Sequence, residues 1–188
     1  MEDTKYCLCC DEQVPFSVVE RQDKREERCI YCGFALDIQK TKPLSVNIEK
    51  GHALIADDSK YTRKMIQEIL KENNYSGSIE SFENGAELVS AYVKLLSEKK
   101  RVDFAIIDLN MPIMGGIKAA MTLRTLEVQK DISNVPIVFF SGVKADQDLK
   151  RMLEELNPAV YLNKSTDPDP DKLAKRIEEL VSFILAEY

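Results

Sequence analysis

Four apolar runs in this chain stop at a residue able to do chemistry. Ala53-Leu54-Ile55-Ala56 runs into Asp57-Asp58, and Phe104-Ala105-Ile106-Ile107 into Asp108. Ile137-Val138-Phe139-Phe140 ends in Ser141, and Ala159-Val160-Tyr161-Leu162-Asn163 ends in Lys164. Asp57, Asp58 and Asp108 together would form a dense negative patch, costly unless a cation neutralises it. Hard oxygen donors with no histidine or thiolate beside them suit Mg²⁺, which commonly bridges to a phosphate. A carboxylate can also attack phosphorus to give an aspartyl phosphate. That reaction asks for alignment and for neutralisation of the equatorial oxygens. Mg²⁺ would cover one oxygen, Lys164 a second, and the Ser141 hydroxyl with nearby backbone N–H groups a third. Alone, an Asp at a strand end is ordinarily a turn or a cap, and Ser-Gly a turn. Recurrence at four run ends is what points to a site.

A second group lies near the start. All five cysteines fall within the first 32 residues, an odd count that favours metal binding over a disulfide framework. Cys7/Cys10 and Cys29/Cys32 form two C-x-x-C pairs separated by 18 residues, within the spacing of four-cysteine zinc sites. Gly33 supplies the permissive backbone that such a knuckle wants. Val14-Pro15-Phe16-Ser17-Val18-Val19, a charged turn and Glu27-Arg28-Cys29 read as a hairpin. Residues 1–36 are therefore expected to be a zinc-ribbon-like β module. A segment of that size builds no adequate core alone, so Zn²⁺ would act as its staple. Cys9 is left over, since its neighbour Cys10 completes the better spacing, and a catalytic thiol there is not expected.

These side chains need elements to position them. Strand-like runs fall near 52–56, 78–82, 103–108, 135–141 and 159–163, apolar with little alternation, as expected of parallel strands buried on both faces. Between them apolar residues recur at helical spacing, as in Met65, Ile66, Ile69 and Leu70, or Leu88, Val89, Tyr92, Leu95 and Leu96. The same holds for Leu149, Met152, Leu153 and Leu156, and for Leu173, Ile177, Leu180, Val181, Ile184 and Leu185. Ser59 is placed to cap a helix running to Asn73, Gly115-Gly116 marks a tight turn, and Pro168 and Pro170 precede the last helix. Five alternating strands and helices predict an α/β, flavodoxin-like five-stranded parallel sheet of order 2-1-3-4-5 with helices on both faces. In that order the first, third, fourth and fifth strands are neighbours, so their polar endings converge at the carboxyl edge, where ligands bind. The expected domains are 1–36, a linker over 37–50, and 51–188.

From about Gly51 onward the chain resembles a response-regulator receiver domain of two-component signalling. Asp108-Leu109-Asn110-Met111-Pro112-Ile113-Met114-Gly115-Gly116 is similar to the family's phosphoacceptor segment. Asp57-Asp58 resembles its acidic pair, Ser141 its Ser/Thr switch position, and Lys164 its lysine. The resemblance implies that Asp108 accepts a phosphoryl group from the phosphohistidine of a sensor histidine kinase or phosphotransfer protein. It implies Mg²⁺ on Asp58, Asp108 and the Asn110 carbonyl, with Asp57 acting largely through water. It further implies that Ser141 and Tyr161 are switch residues, reporting through the face built by the domain's fourth helix, fifth strand and fifth helix. A homodimer through that face is one expected outcome, and an unidentified downstream protein the other. Two positions depart from the family. Ser165 follows Lys164 where the family usually has proline, and a Lys-Ser bond is expected to be trans. Val143, two residues after Ser141, cannot orient an attacking water, so slow self-dephosphorylation is expected.

Composition excludes several classes. The chain carries 44% hydrophobic and 31% charged residues, and its net charge is −6. Residues 1–50 hold eight basic and ten acidic side chains, a poor phosphate-binding surface. A nucleic-acid partner is disfavoured on that count, and a zinc-ribbon nucleic-acid adaptor gated by a receiver-like domain stands as the alternative reading. No apolar run reaches about 18 residues, and no basic-then-apolar leader opens the chain. No membrane contact and a cytoplasmic location are therefore expected. Only one helix is predicted after Lys164, so no output domain is expected and signalling would run through protein contacts, without enzymatic turnover. A phosphohydrolase using Asp108 as nucleophile would want a second acid two residues on, where Asn110 stands.

Overall fold

Short runs rich in β-branched and aromatic residues become strands and the amphipathic stretches between them become helices. They do so in a computed structural model that describes residues 3–21, 24–37, 50–164 and 169–187. The order is β1 (Thr4–Cys7), β2 (Glu12–Arg21), β3 (Lys24–Cys29), β4 (His52–Ala56), α1 (Lys60–Glu72), β5 (Ser78–Phe82) and α2 (Gly85–Ser97). It continues β6 (Val102–Ile107), α3 (Gly116–Lys130), β7 (Ile137–Ser141), α4 (Gln147–Glu155), β8 (Ala159–Asn163) and α5 (Pro170–Glu187). The five later strands form one parallel sheet of order β5-β4-β6-β7-β8, the predicted order. Its register sets Ala56 beside Ile107, Ile107 beside Phe139, and Ser141 beside Asn163, so the strands end nearly level. That levelling brings the residues just beyond those ends to one edge.

Local signals account for the helix starts. The Ser59 hydroxyl accepts from Thr62 N, as expected of a cap. Asn84 caps α2 by accepting from Ala86 N and Glu87 N, and Asp146 caps α4 by accepting from Leu149 N. Pro170 is the first residue of α5 rather than a residue before it, a position where its missing N–H costs nothing. β7, the fourth strand of the parallel sheet, begins at Ile137, two residues later than predicted. Pro136 cannot donate to a ladder, although its carbonyl accepts from Ala105 N.

The N-terminal residues form a separate antiparallel sheet, β1-β2-β3. The predicted hairpin is β2–β3, and β1 is an addition: four residues alternating exposed and buried carry too little pattern to be read. Most of the expected linker (residues 38–49) and the Lys164–Ser165 link lie outside the described residues.

This small sheet packs on α4, β8 and α5. Asn163 N donates to Cys9 O at 2.7 Å. Gln147 Nε2 donates to Ile30 O at 3.1 Å, and Lys144 Nζ lies 3.1 Å from a Glu12 carboxylate oxygen. Phe34 meets Phe183 edge-on with centroids 5.3 Å apart, a geometry worth about 0.5–1.5 kcal/mol beyond the area it buries. The face on which a homodimer was expected therefore carries the chain's own N-terminal module. No helix among the described residues is long and apolar enough to cross a membrane.

Candidate functional site

Each acidic residue is held by backbone geometry that the strand ends create. Asp57 Oδ1 accepts from Ser59 N at 2.9 Å, a turn that also launches α1. The Arg63 guanidinium, buried on α1, donates to the carbonyls of Asp57 and Asp58 at 2.8 and 3.2 Å, and so fixes the acidic pair from below. Asp108 N donates to Ala56 O at 2.7 Å, which ties the end of β6 to the end of β4. Gly116 sits so close behind that a Cβ there would lie 2.2 Å from Asp108 O. Between them Met114 N donates to Pro112 O at 2.6 Å across Ile113, whose φ is 65° and whose side chain is exposed. A β-branched residue in the left-handed region is strained.

Lys164 joins the group from β8. Its Nζ lies 2.7 Å from Asp57 Oδ2 and 2.9 Å from Asp108 Oδ2, and 5.5 Å above the centre of the Phe140 ring. Asp57 and Asp108 are 1% and 5% exposed, whereas Asp58 faces solvent. Burial pushes the Asp57 carboxyl above its ordinary value, against the pull of Lys164 and Ser59 N, with the Asp108 charge adding to the rise. Burial acts to lower Lys164, but the two carboxylates outweigh it and hold the ammonium above the usual lysine value.

Carboxylate oxygens of Asp57, Asp58 and Asp108 come within 4.8 Å of one another. Three carboxylates against one ammonium leave two negative charges, which one divalent cation would neutralise. Asp57 Oδ2 is buried and makes no well-directed hydrogen bond: the ammonium is near it but off the bonding direction. An oxygen in that condition is a ready ligand, and the donor set is all hard oxygen. The residues fit Mg²⁺. Asn110 contributes its N–H to Asp108 Oδ1 at 3.4 Å.

Ser141 and Tyr161 complete the predicted set. The Ser141 hydroxyl accepts from Val143 N at 3.3 Å, and Ser141 O accepts from Lys164 N at 2.8 Å. Tyr161 is buried, with its hydroxyl donating to Val143 O and accepting from Asn163 Nδ2 at 2.6 Å. Burial pushes that phenol up to about 12. Val143 is itself half exposed and lines a groove with Leu109, Asn110 and Ile117.

The cysteines form a second centre. Cys7 Sγ lies 3.7 Å from Cys32 Sγ and Cys10 Sγ 3.8 Å from Cys29 Sγ, with all four sulfurs within 4.8 Å of one another. A tetrahedral zinc with Zn–S near 2.3 Å requires sulfurs about 3.8 Å apart, so this cage fits Zn²⁺. Gly33 has φ 76°, the left-handed turn that lets its N–H reach Cys29 O. Cys9 lies outside the cage and fully buried, and burial pushes its thiol up.

Sequence reasoning missed three positioning residues, Arg63, Asn163 and Arg176. Arg176 is 4% exposed and donates to Leu8 O, Cys9 O and Asn163 O at 2.8, 3.1 and 3.1 Å. The available signal was a charge on an apolar stripe: Arg176 falls three residues after Leu173, and Arg63 three before Ile66.

Comparison with known proteins bears on the larger domain. The family model described as response regulator receiver domain matches residues 53–178. The protein-glutamate methylesterase/protein-glutamine glutaminase of Clostridium acetobutylicum is 25% identical over 141 residues, covering 75% of this chain and 38% of that protein. The first curated relatives are matched over 18% to 61% of their own lengths. The receiver domain of the Arabidopsis thaliana histidine kinase CKI1, solved with Mg²⁺ and BeF₃⁻, has a TM-score of 0.57 at 24% identity, over 70% of this chain and 90% of that one. The co-crystal structure of the Saccharomyces cerevisiae phosphotransfer protein Ypd1 with the receiver domain of Ssk1 gives 0.54 at 24%, over 70% and 89%. These structural likenesses show the fold. The N-terminal module lies outside the matched family region.

Proposed function

The chain belongs to the response regulator receiver domain family, typically a phosphoacceptor rather than an enzyme, and from that premise we propose that Asp108 is the acceptor. One oxygen of Asp108 attacks phosphorus, the N–P bond of a partner's phosphohistidine breaks, and the imidazole nitrogen leaves with the electron pair. Bound Mg²⁺, held by Asp57, Asp58, Asp108 and the Asn110 carbonyl, would neutralise charge on the carboxylates and the transferring group. Lys164 donates to a phosphoryl oxygen, and Ser141 gives up its bond to Val143 N to donate to another. With the Ser141 hydroxyl bonded to Val143 N and the Tyr161 hydroxyl to Val143 O, a shift at one is carried through the Val143 backbone to the other. The switch would alter contacts with a downstream protein. Four cysteines, Cys7, Cys10, Cys29 and Cys32, would hold Zn²⁺ and keep the residue 1–36 module folded against the receiver, in a cytoplasmic protein.

The observation that carries this reading is Lys164 bridging Asp57 and Asp108 within the acidic cluster. Incubating the full chain with Mg²⁺ and acetyl phosphate, then measuring intact mass, tests it. The expected result is one phosphoryl adduct, absent from Asp108→Asn and from chelated samples. No adduct, or an undiminished one in Asp108→Asn, would defeat it.

A further inference from the structure

Asn163 stands between the two centres. Its N–H donates to Cys9 O, a carbonyl inside the Cys7–Cys10 knuckle, at 2.7 Å. Its carbonyl accepts from Arg176 Nη1 at 3.1 Å, and the same guanidinium clasps Leu8 O and Cys9 O and lies 3.3 Å from the Asp11 carboxylate. The Asn163 side-chain amide donates to the Tyr161 hydroxyl at 2.6 Å and reaches Val143 O at 3.4 Å. Val143 N in turn donates to the Ser141 hydroxyl. The next residue in the chain is Lys164, whose ammonium lies on Asp57 and Asp108. One buried residue thus joins the cysteine knuckle to both the lysine and the serine of the acidic site.

We propose that Asn163 is a positioning residue through which the metal-loaded Cys7–Cys10 knuckle sets Lys164 and Ser141 for phosphoryl binding, so that filling the cysteine site and loading the Asp108 site favour each other. The inference rests on the reading of Asp108 as phosphoacceptor and of the four cysteines as a zinc site. Zinc fixes the Cys7–Cys10 turn, and the turn fixes where Cys9 O points. With that carbonyl in place, the backbone of Asn163 is held at its N–H by Cys9 and at its carbonyl by Arg176, and Lys164 emerges aimed at Asp108. Without zinc the knuckle has no cross-link to hold its shape, Asn163 loses its N–H partner, and Lys164 can wander. A lysine held in place in advance binds the phosphoryl group without paying to be ordered, which is the source of the coupling. Thermodynamic linkage then makes the effect reciprocal.

The test uses the full chain with beryllofluoride and Mg²⁺ as the phosphoryl mimic. Its affinity is measured on zinc-loaded and zinc-stripped protein, and the zinc affinity is measured with and without the mimic. The expected result is at least about five-fold tighter binding in each case, with the two factors equal, within the usual range of coupling between sites. Asn163→Ala keeps the backbone bond to Cys9 but drops the link to Tyr161 and Val143. It should still bind one zinc, with its coupling factor reduced at least two-fold from that of the wild type. Reciprocal factors below two-fold in the wild type, a factor of opposite sign, or full coupling in a zinc-binding Asn163→Ala overturn the inference. Wild-type factors below two-fold overturn it even if the variant does not fold, and in that case Asn163→Leu, which likewise keeps the backbone bonds and removes the amide, carries the same expectation. A chain that takes no phosphoryl adduct or holds no zinc fails at the underlying reading instead, and takes this inference with it. A chain that does both independently overturns the inference alone.

Discussion

Asp57 is a buried carboxyl with one oxygen left without a well-directed hydrogen bond, and its protonation shows the cost of that. Burial raises its folded pKa above the value it has in the unfolded chain. Below the ordinary aspartate value both states are protonated and Asp57 contributes no pH dependence. Above it, the folded state holds the proton longer than the unfolded one, so stability falls as pH rises through the raised value. Without Mg²⁺, the melting temperature of the wild type relative to Asp57→Asn should therefore decline between pH 4 and neutrality. Mg²⁺ at 100 times its Kd should stabilise the chain by about 2.7 kcal/mol at pH 7, and by much less at pH 4. A difference that is flat or rising with pH in the absence of Mg²⁺ would count against this account of Asp57. The acidic and basic residues of the site were legible in the sequence because each follows an apolar run. Arg63, Asn163 and Arg176 were not, because most of their partners are backbone carbonyls, and a carbonyl leaves no mark on residue type.

The β6–α3 turn and the helix after it act as the wall behind Asp108. Gly116→Ala would set a Cβ 2.2 Å from Asp108 O and 3.1 Å from an Ile107 side-chain carbon. The clash is with backbone, so α3 or Asp108 must move. Loss of the acetyl-phosphate adduct is expected, together with destabilisation of roughly 1–3 kcal/mol, the usual cost of overpacking, read from urea denaturation. A Gly116→Ala chain phosphorylated at the wild-type rate would show that the turn tolerates displacement. At this scale the sequence served well for the receiver sheet, since buried parallel strands and amphipathic helices each have their own period. It served poorly for β1, whose four residues Thr4-Lys5-Tyr6-Cys7 alternate over too short a span. It also could not place the strained Ile113, since nothing but the turn around it calls for a positive φ there.

The whole molecule is two sheets joined through buried polar contacts as well as apolar ones, and the smaller sheet carries the four-cysteine cage. Stripping zinc should unfold the module while the receiver, which has its own core of Leu54, Ile55, Phe104, Ile107 and Phe139, keeps its helical signal and a cooperative transition. Limited trypsin digestion checks this: cleavage after Arg28, whose side chain is tied to Glu26 and Gly33 O, should appear only in the stripped chain. Identical digestion with and without zinc would mean that the module holds without metal. No composition rule foretold that this module would dock on α4, β8 and α5, because the surfaces that meet are ordinary in type and specific only in shape. The docking also has a consequence for how the chain is made. Arg176 reaches Leu8 and Cys9 across 168 and 167 positions. At ribosomal speeds of about 5–20 residues per second, the knuckle emerges roughly 8–30 seconds before its clasp exists. For that interval the newborn cysteines stand free of the domain that will cover them, so any metal they take has time to arrive before α5 is made and docks over them.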